Sequence, residues 1–164
     1  MKTLIEAPTD TFAEPLAGTL PQTTTQPAAA TQTTARDRRV LLRTTPNPDP
    51  GCDYMVRFEM ETTPSFALGP LKFVTRYVPD KLLLNPSCLS DYLHALTQPE
   101  WPNLESAVLA MRDDLENEVI PRWIEIVVSP SDTNLEIRRH SVLVEDRQPQ
   151  WDNPNLLARL DDCR

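Results

Sequence analysis

The stretch Tyr77–Leu96 constrains this chain more than any other. An extended apolar segment runs into Tyr77-Val78-Pro79-Asp80, where proline and aspartate favour a turn. A loop follows, and then Leu89, Tyr92, Leu93 and Leu96 recur at helical spacing on one face. Strand, turn, short crossing and helix therefore succeed one another without interruption, so a sheet must lie close to the helix that follows it.

The same patterning extends in both directions. Asp53–Glu59 alternates, with Tyr54, Val56 and Phe58 on one face and Met55, Arg57 and Glu59 on the other, and predicts a strand. Leu71–Val78 predicts a second, and the short separation, Met60 to Pro70, predicts an antiparallel pair. The first helix is expected over Ser87–Thr97, entered through Asn85-Pro86-Ser87, which offers a side-chain cap. Asn103 can cap a second helix, along which Leu104, Val108, Met111, Leu115 and Val119 recur until Pro121 ends it. Trp123–Ser129 and Leu135–Val144 predict two more strands, and Pro154–Leu160 a short helix. The order β-β-α-α-β-β specifies an α+β fold, a four-stranded antiparallel sheet with two helices on one face. Such a sheet leaves open edges, and assembling subunits into an oligomeric barrel is one way to close them.

Composition sets the remaining bounds. At 164 residues the chain suits one domain, residues 36–164, after a Thr/Pro/Ala/Gln-rich segment, residues 1–35, with too few large apolar groups to order itself. A net charge of −8 argues against nucleic acid or an anionic membrane as the main partner. Cys52, Cys88 and Cys163 are widely spaced with no Cys/His cluster, so no metal is expected. An odd cysteine count without a signal peptide points to a reducing cytoplasm. Two charged clusters have two readings each. Arg36-Asp37-Arg38-Arg39 is either a docking patch for an acidic partner or a solvated boundary, and Asp113, Asp114, Glu116 and Glu118 are either metal ligands or a solvated helix face. The solvated reading is the expectation for both.

Four segments carry a resemblance. They are Pro46-Asn47-Pro48 followed by Asp53-Tyr54, then Thr63-Pro64-Ser65-Phe66, Tyr77-Val78-Pro79-Asp80-Lys81, and Pro121-Arg122-Trp123-Ile124-Glu125-Ile126. In this order and spacing, over roughly Leu42 to Ile137, the chain resembles the 7-cyano-7-deazaguanine reductases, NADPH-dependent nitrile reductases of queuosine synthesis within the tunnelling-fold superfamily. The resemblance implies a tunnelling fold, a homo-oligomer and a purine-like substrate.

It also marks what is missing. Where the family has its cysteine nucleophile, the chain has Gly69, and the loop that bears the family's aspartate is cut short as Phe66-Ala67-Leu68-Gly69-Pro70 runs into the next strand. The family's Glu-Ser-Lys-Ser-Leu-Lys corresponds to Asn85-Pro86-Ser87-Cys88-Leu89-Ser90, and its Arg-Gly-Gly to something like Asp132-Thr133-Asn134. By the resemblance, Asn85 falls at a substrate-binding position and Ser87 and Cys88 at cofactor-binding ones. Without lysines and arginine for a dinucleotide's phosphates, no cofactor is expected; NADPH belongs to the alternative, an active reductase with a rebuilt site. Glu105 matches the family glutamate that grips the amidine edge of the ring. It is either that carboxylate, binding a purine- or pterin-like ring, or a first-turn acid favoured by the helix dipole. Cys88 is either a replacement nucleophile or a structural thiol, and with no adjacent base or cation the structural reading is preferred. His94 and His140 have no partners at catalytic spacing.

Overall fold

The computed structural model describes residues 34–62, 70–131 and 140–160. All of them lie in the compact unit Thr31–Arg164. The expected tail, residues 1–35, falls outside the described residues except for Thr34 and Ala35.

Strands β2 (Val56–Glu61), β3 (Leu71–Val78), β5 (Trp123–Pro130) and β6 (Val142–Arg147) form one antiparallel sheet in the order β2-β3-β5-β6. Between β3 and β5 the chain makes a 3₁₀ turn (Pro86–Cys88) and two helices, α2 (Leu89–Thr97) and α3 (Leu104–Val119). Alternation decides the faces. Leu71, Phe73 and Tyr77 of β3 and Ile124, Ile126 and Val128 of β5 meet Leu93, Leu96, Val108, Met111 and Leu115 in one core. The opposite face carries Arg76 and Glu125, paired across the two central strands and ion-paired to each other. The edge strands are half apolar. Val56, Phe58 and Met60 of β2 and Val142 and Val144 of β6 pack against the core, and their alternate residues face outward. This is the α+β arrangement expected of a tunnelling-fold-like chain.

The first strand starts at Val56, not at Asp53, because Asp53 and Tyr54 are drawn into a polar network described below and leave the sheet's alternation. The last strand covers Val142–Arg147, whereas Leu135–Val144 was expected. His140 and Ser141 are not strand, and residues 132–139 lie outside the described ones. The strand runs on to Arg147, which pairs with Trp123. The C-terminal helix, α4 (Pro154–Leu157), is capped by Asn153. Arg76 Nη1 donates to the Leu160 carbonyl at 3.2 Å, so the C-terminal segment reaches the sheet face opposite the helices.

Three elements are additional to those expected. Strands β1 (Thr44–Pro46) and β4 (Leu82–Leu84) pair as a small second sheet. Helix α1 (Ala35–Leu41) opens with a capping box between Thr34 and Asp37. It corrects each charge reading at one residue, while Asp37 and Asp113 are exposed as expected. Arg36 is exposed, but Arg38 is only 4% exposed, with its Nε on Asp114 Oδ2 at 2.8 Å and its guanidinium over the Trp101 ring. Asp114, read as part of a solvated face, is 2% exposed and also accepts the Tyr92 hydroxyl. Among the described residues, no group of acids, histidines and cysteines is placed to hold a metal, and no helix is long and apolar enough to cross a membrane.

Candidate functional site

Three of the four segments that carry the resemblance converge on one side chain. Arg122 Nη1 donates to Asp53 Oδ1 at 2.6 Å, and its Nε and Nη2 reach Asp80 Oδ1 at 3.2 and 3.1 Å. Asn47 Nδ2 donates to the Asp80 carbonyl at 2.7 Å, while Asn47 Oδ1 accepts the Tyr54 hydroxyl at 2.6 Å. Asp53 Oδ2 accepts from Trp151 Nε1 and Asn153 Nδ2 at 3.2 and 3.0 Å. Burial alone would raise the Asp53 carboxyl, but the donors Asn153, Arg122 and Trp151 outweigh it and hold it below the usual carboxylate range. Every polar group here has a partner within the protein. The cluster ties the loop before β2, the turn after β3, the start of β5 and the C-terminal segment together. Its chemistry is that of a clasp, since it leaves no nucleophile or proton carrier free.

A second place is open. A groove of roughly 540 Å³ runs between β2 and the 3₁₀ turn and helix α2. Its walls are apolar from both sides, Phe58 and Met60 on the strand, Leu89 and Leu93 on the helix. Its polar groups are Glu59, Glu61 and Thr62 from the strand side and Ser90, His94 and Thr97 from the helix. The strand side leads directly into Thr63-Pro64-Ser65-Phe66, and the helix side begins in the segment corresponding to the family's cofactor motif. The volume of the groove is in the range of small-molecule sites. Among the described residues, its lining includes no thiol, no ammonium and no guanidinium. Lys72 and Arg57 lie near, but both are engaged by Glu59.

The residues singled out from sequence are distributed as follows. Gly69 lies outside the described residues, as does Asp132-Thr133-Asn134. Asn85 caps the 3₁₀ turn, its Oδ1 accepting the Ser87 N–H at 3.0 Å. Ser87 is exposed. Cys88 is 1% exposed; its thiol lies 2.9 Å from the Asn85 carbonyl, to which it donates, and accepts the Arg43 N–H at 3.3 Å. None of these three lines the groove, although their neighbours Pro86, Leu89 and Ser90 do. Glu105 stands in the first turn of α3 with its Oε1 2.8 Å from His140 Nε2, both side chains about half exposed. Its own backbone N–H and the His140 ring hold its carboxyl below the ordinary value. Glu105 is not a groove residue either. The groove residues that sequence reasoning missed share a legible signal on the helix, where Ser90, Leu93, His94 and Thr97 stand three or four apart on one side. Their counterpart, the edge of β2, becomes visible only with the fold.

No protein-family model matches the chain. The NADPH-dependent 7-cyano-7-deazaguanine reductases of two strains of Acidithiobacillus ferrooxidans are each 29% identical to it over 130 residues, 72% of this chain and 85% of the relative. The chain is distantly related to these reductases.

Proposed function

We propose that this protein is a divergent homologue of 7-cyano-7-deazaguanine reductase, allied to the queuosine pathway, that holds a purine- or pterin-like ring and does not reduce nitriles. The observation that carries this reading is the lining of the groove, which among the described residues has neither a thiol nor a cation. Nitrile reduction of the family's kind needs a thiolate to add to the nitrile carbon before hydride arrives. Gly69 cannot supply one, and the Cys88 thiol is buried against the Asn85 carbonyl. Among the described residues the groove wall carries no lysine or arginine for a dinucleotide's phosphates, which supports a reading without NADPH. Glu105 remains the carboxylate to which the resemblance points for the ring. The exposed edges of β2 and β6 favour assembly with further copies, and the odd cysteine count favours the cytoplasm.

The test is to incubate the protein with 7-cyano-7-deazaguanine and NADPH, following cofactor oxidation and covalent mass gain together. Neither should occur. Substrate-dependent oxidation would overturn the proposal in favour of an active reductase with a rebuilt site. Its loss in Cys88→Ala but not in Cys52→Ala would name the nucleophile.

A further inference from the structure

We propose that residues Gln148–Leu160 form a strap that releases from the sheet as a unit while the sheet and helices stay folded, and that its release brings the buried Arg76–Glu125 pair to the surface.

Four observations lead there. The first is attachment. Strand β6 ends at Arg147, and beyond it the chain is tied to the body by a handful of hydrogen bonds. The Gln148 N–H donates to the Arg122 carbonyl at 2.9 Å, and Gln148 Nε2 to the Ile120 carbonyl at 3.2 Å. Trp151 Nε1 and Asn153 Nδ2 share Asp53 Oδ2, and the Leu160 carbonyl accepts from Arg76 Nη1. The N–H groups of Trp151 and of Leu156 to Leu160 bond within the strap itself. The second is burial. Trp151, Leu156, Leu157 and Leu160 are half-buried, and none joins the hydrophobic core. A segment with few buried apolar contacts opens at a lower free energy than the core does. The third is the division of Asp53, whose Oδ1 serves Arg122 while its Oδ2 serves the strap. Release frees one oxygen and leaves the rest of the clasp closed, Arg122 on Asp80 and Tyr54 on Asn47. The fourth is what release regains. Arg76 and Glu125 are 5% and 7% exposed, and hydrating a buried ion pair offsets part of the lost bonding. Gln150, a non-glycine residue at φ 71°, also leaves its left-handed backbone, which makes Pro149-Gln150 the hinge.

Release changes what the sheet displays. Arg57, Arg76, Glu125 and Glu145 stand side by side in register across the four strands, and Arg57 and Glu145 are exposed already. With the strap on, the middle two charges of that row are covered. With it off, two guanidiniums and two carboxylates face solvent in one line.

The experiment is hydrogen exchange of the full chain in urea below its unfolding transition, read together with modification of Arg76 by phenylglyoxal. The Gln148, Leu157 and Leu160 amides should exchange faster than those of β3 and depend less steeply on urea, because the opening exposes less surface. Asn153→Ala should speed strap exchange and Arg76 modification by one common factor, at least about fivefold, the scale of a hydrogen bond. Val108→Ala removes core packing that the released form keeps. It should speed β3 exchange by at least about tenfold and leave strap exchange and Arg76 modification within about twofold of wild type. Strap amides that match β3 in rate and urea slope, or that follow β3 in Val108→Ala, would overturn release as a unit. Strap amides with no protection would overturn the closed form. Arg76 modification that follows β3 and not the strap in Val108→Ala would overturn the uncovering.

Discussion

Glu116 shows how far one side chain departs from what its position in a sequence suggests. It stands among acids on α3 that read as a solvated face, yet its carboxyl is pushed up to about 7 from an ordinary 4.5. Partial burial is the largest cause, followed by the hydrogen bond and the charge of Asp146 on β6; Arg112 opposes them and Asp113 adds to them. Between those two values the folded chain binds a proton that the unfolded chain has released. Stability contributed by this group is therefore complete below about pH 4.5, falls as pH rises, and levels off above about pH 7. Glu116→Gln should flatten that part of the profile, so that the variant is more stable than wild type at pH 8 and no more stable at pH 4. Urea midpoints across this range check it, and parallel curves for the two proteins would refute it. The neighbouring Asp114 was equally opaque, because the helix that covers it carries its partner Arg38 from 76 residues away. Cys88 was the opposite case. With no base or cation near it in sequence it read as a structural thiol, and it is buried.

At the level of elements, legibility followed length. Helix α3 has Asn103 at its start, whose Oδ1 accepts the Ser106 N–H at 2.8 Å, and sixteen residues of periodic pattern; it was found at its expected bounds. Strand β3, whose faces differ in burial over its first half and are both buried over Thr75–Val78, was equally plain. Strands β1 and β4 have three residues each, too few to show alternation, and they exist only because each supplies the other's hydrogen bonds. Helix α1 did carry a signature, Thr34 with Asp37 three residues on, but its other signals are charges, and its anchoring is tertiary. That anchoring can be measured. Arg38→Ala would leave Asp114 buried without a cation and Tyr92 sharing an unpaired charge, a loss of about 3–5 kcal/mol. Urea denaturation of the variant should show it; a loss below about 1 kcal/mol, the range of a surface pair, would mean that α1 is held by something else.

For the whole molecule, sequence alone gave the layer arrangement, since patterned elements in a β-β-α-α-β-β order leave few ways to bury both helices. The groove was not visible in this way, because its walls come from elements that are separated in sequence by the two strands β3 and β4. The same arrangement leaves β2 and β6 at the two edges of the sheet. Light scattering should accordingly give several times the 18.6 kDa chain mass, and a clean monomer at micromolar concentration would count against assembly through those edges. The clasp around Arg122 has a different consequence, one of timing. Asp53 meets Arg122 69 residues later in the chain, and meets Trp151 and Asn153 98 and 100 residues later. At ordinary elongation speeds of about 5–20 residues per second, the interval to the last of these is roughly 5–20 s. In the last part of that interval, once Arg122 and Glu125 have been made, the nascent chain holds Asp53 half satisfied and the Arg76–Glu125 face uncovered, so a cellular protease or chaperone has a window that stays open until Trp151, Asn153 and the residues up to Leu160 have followed.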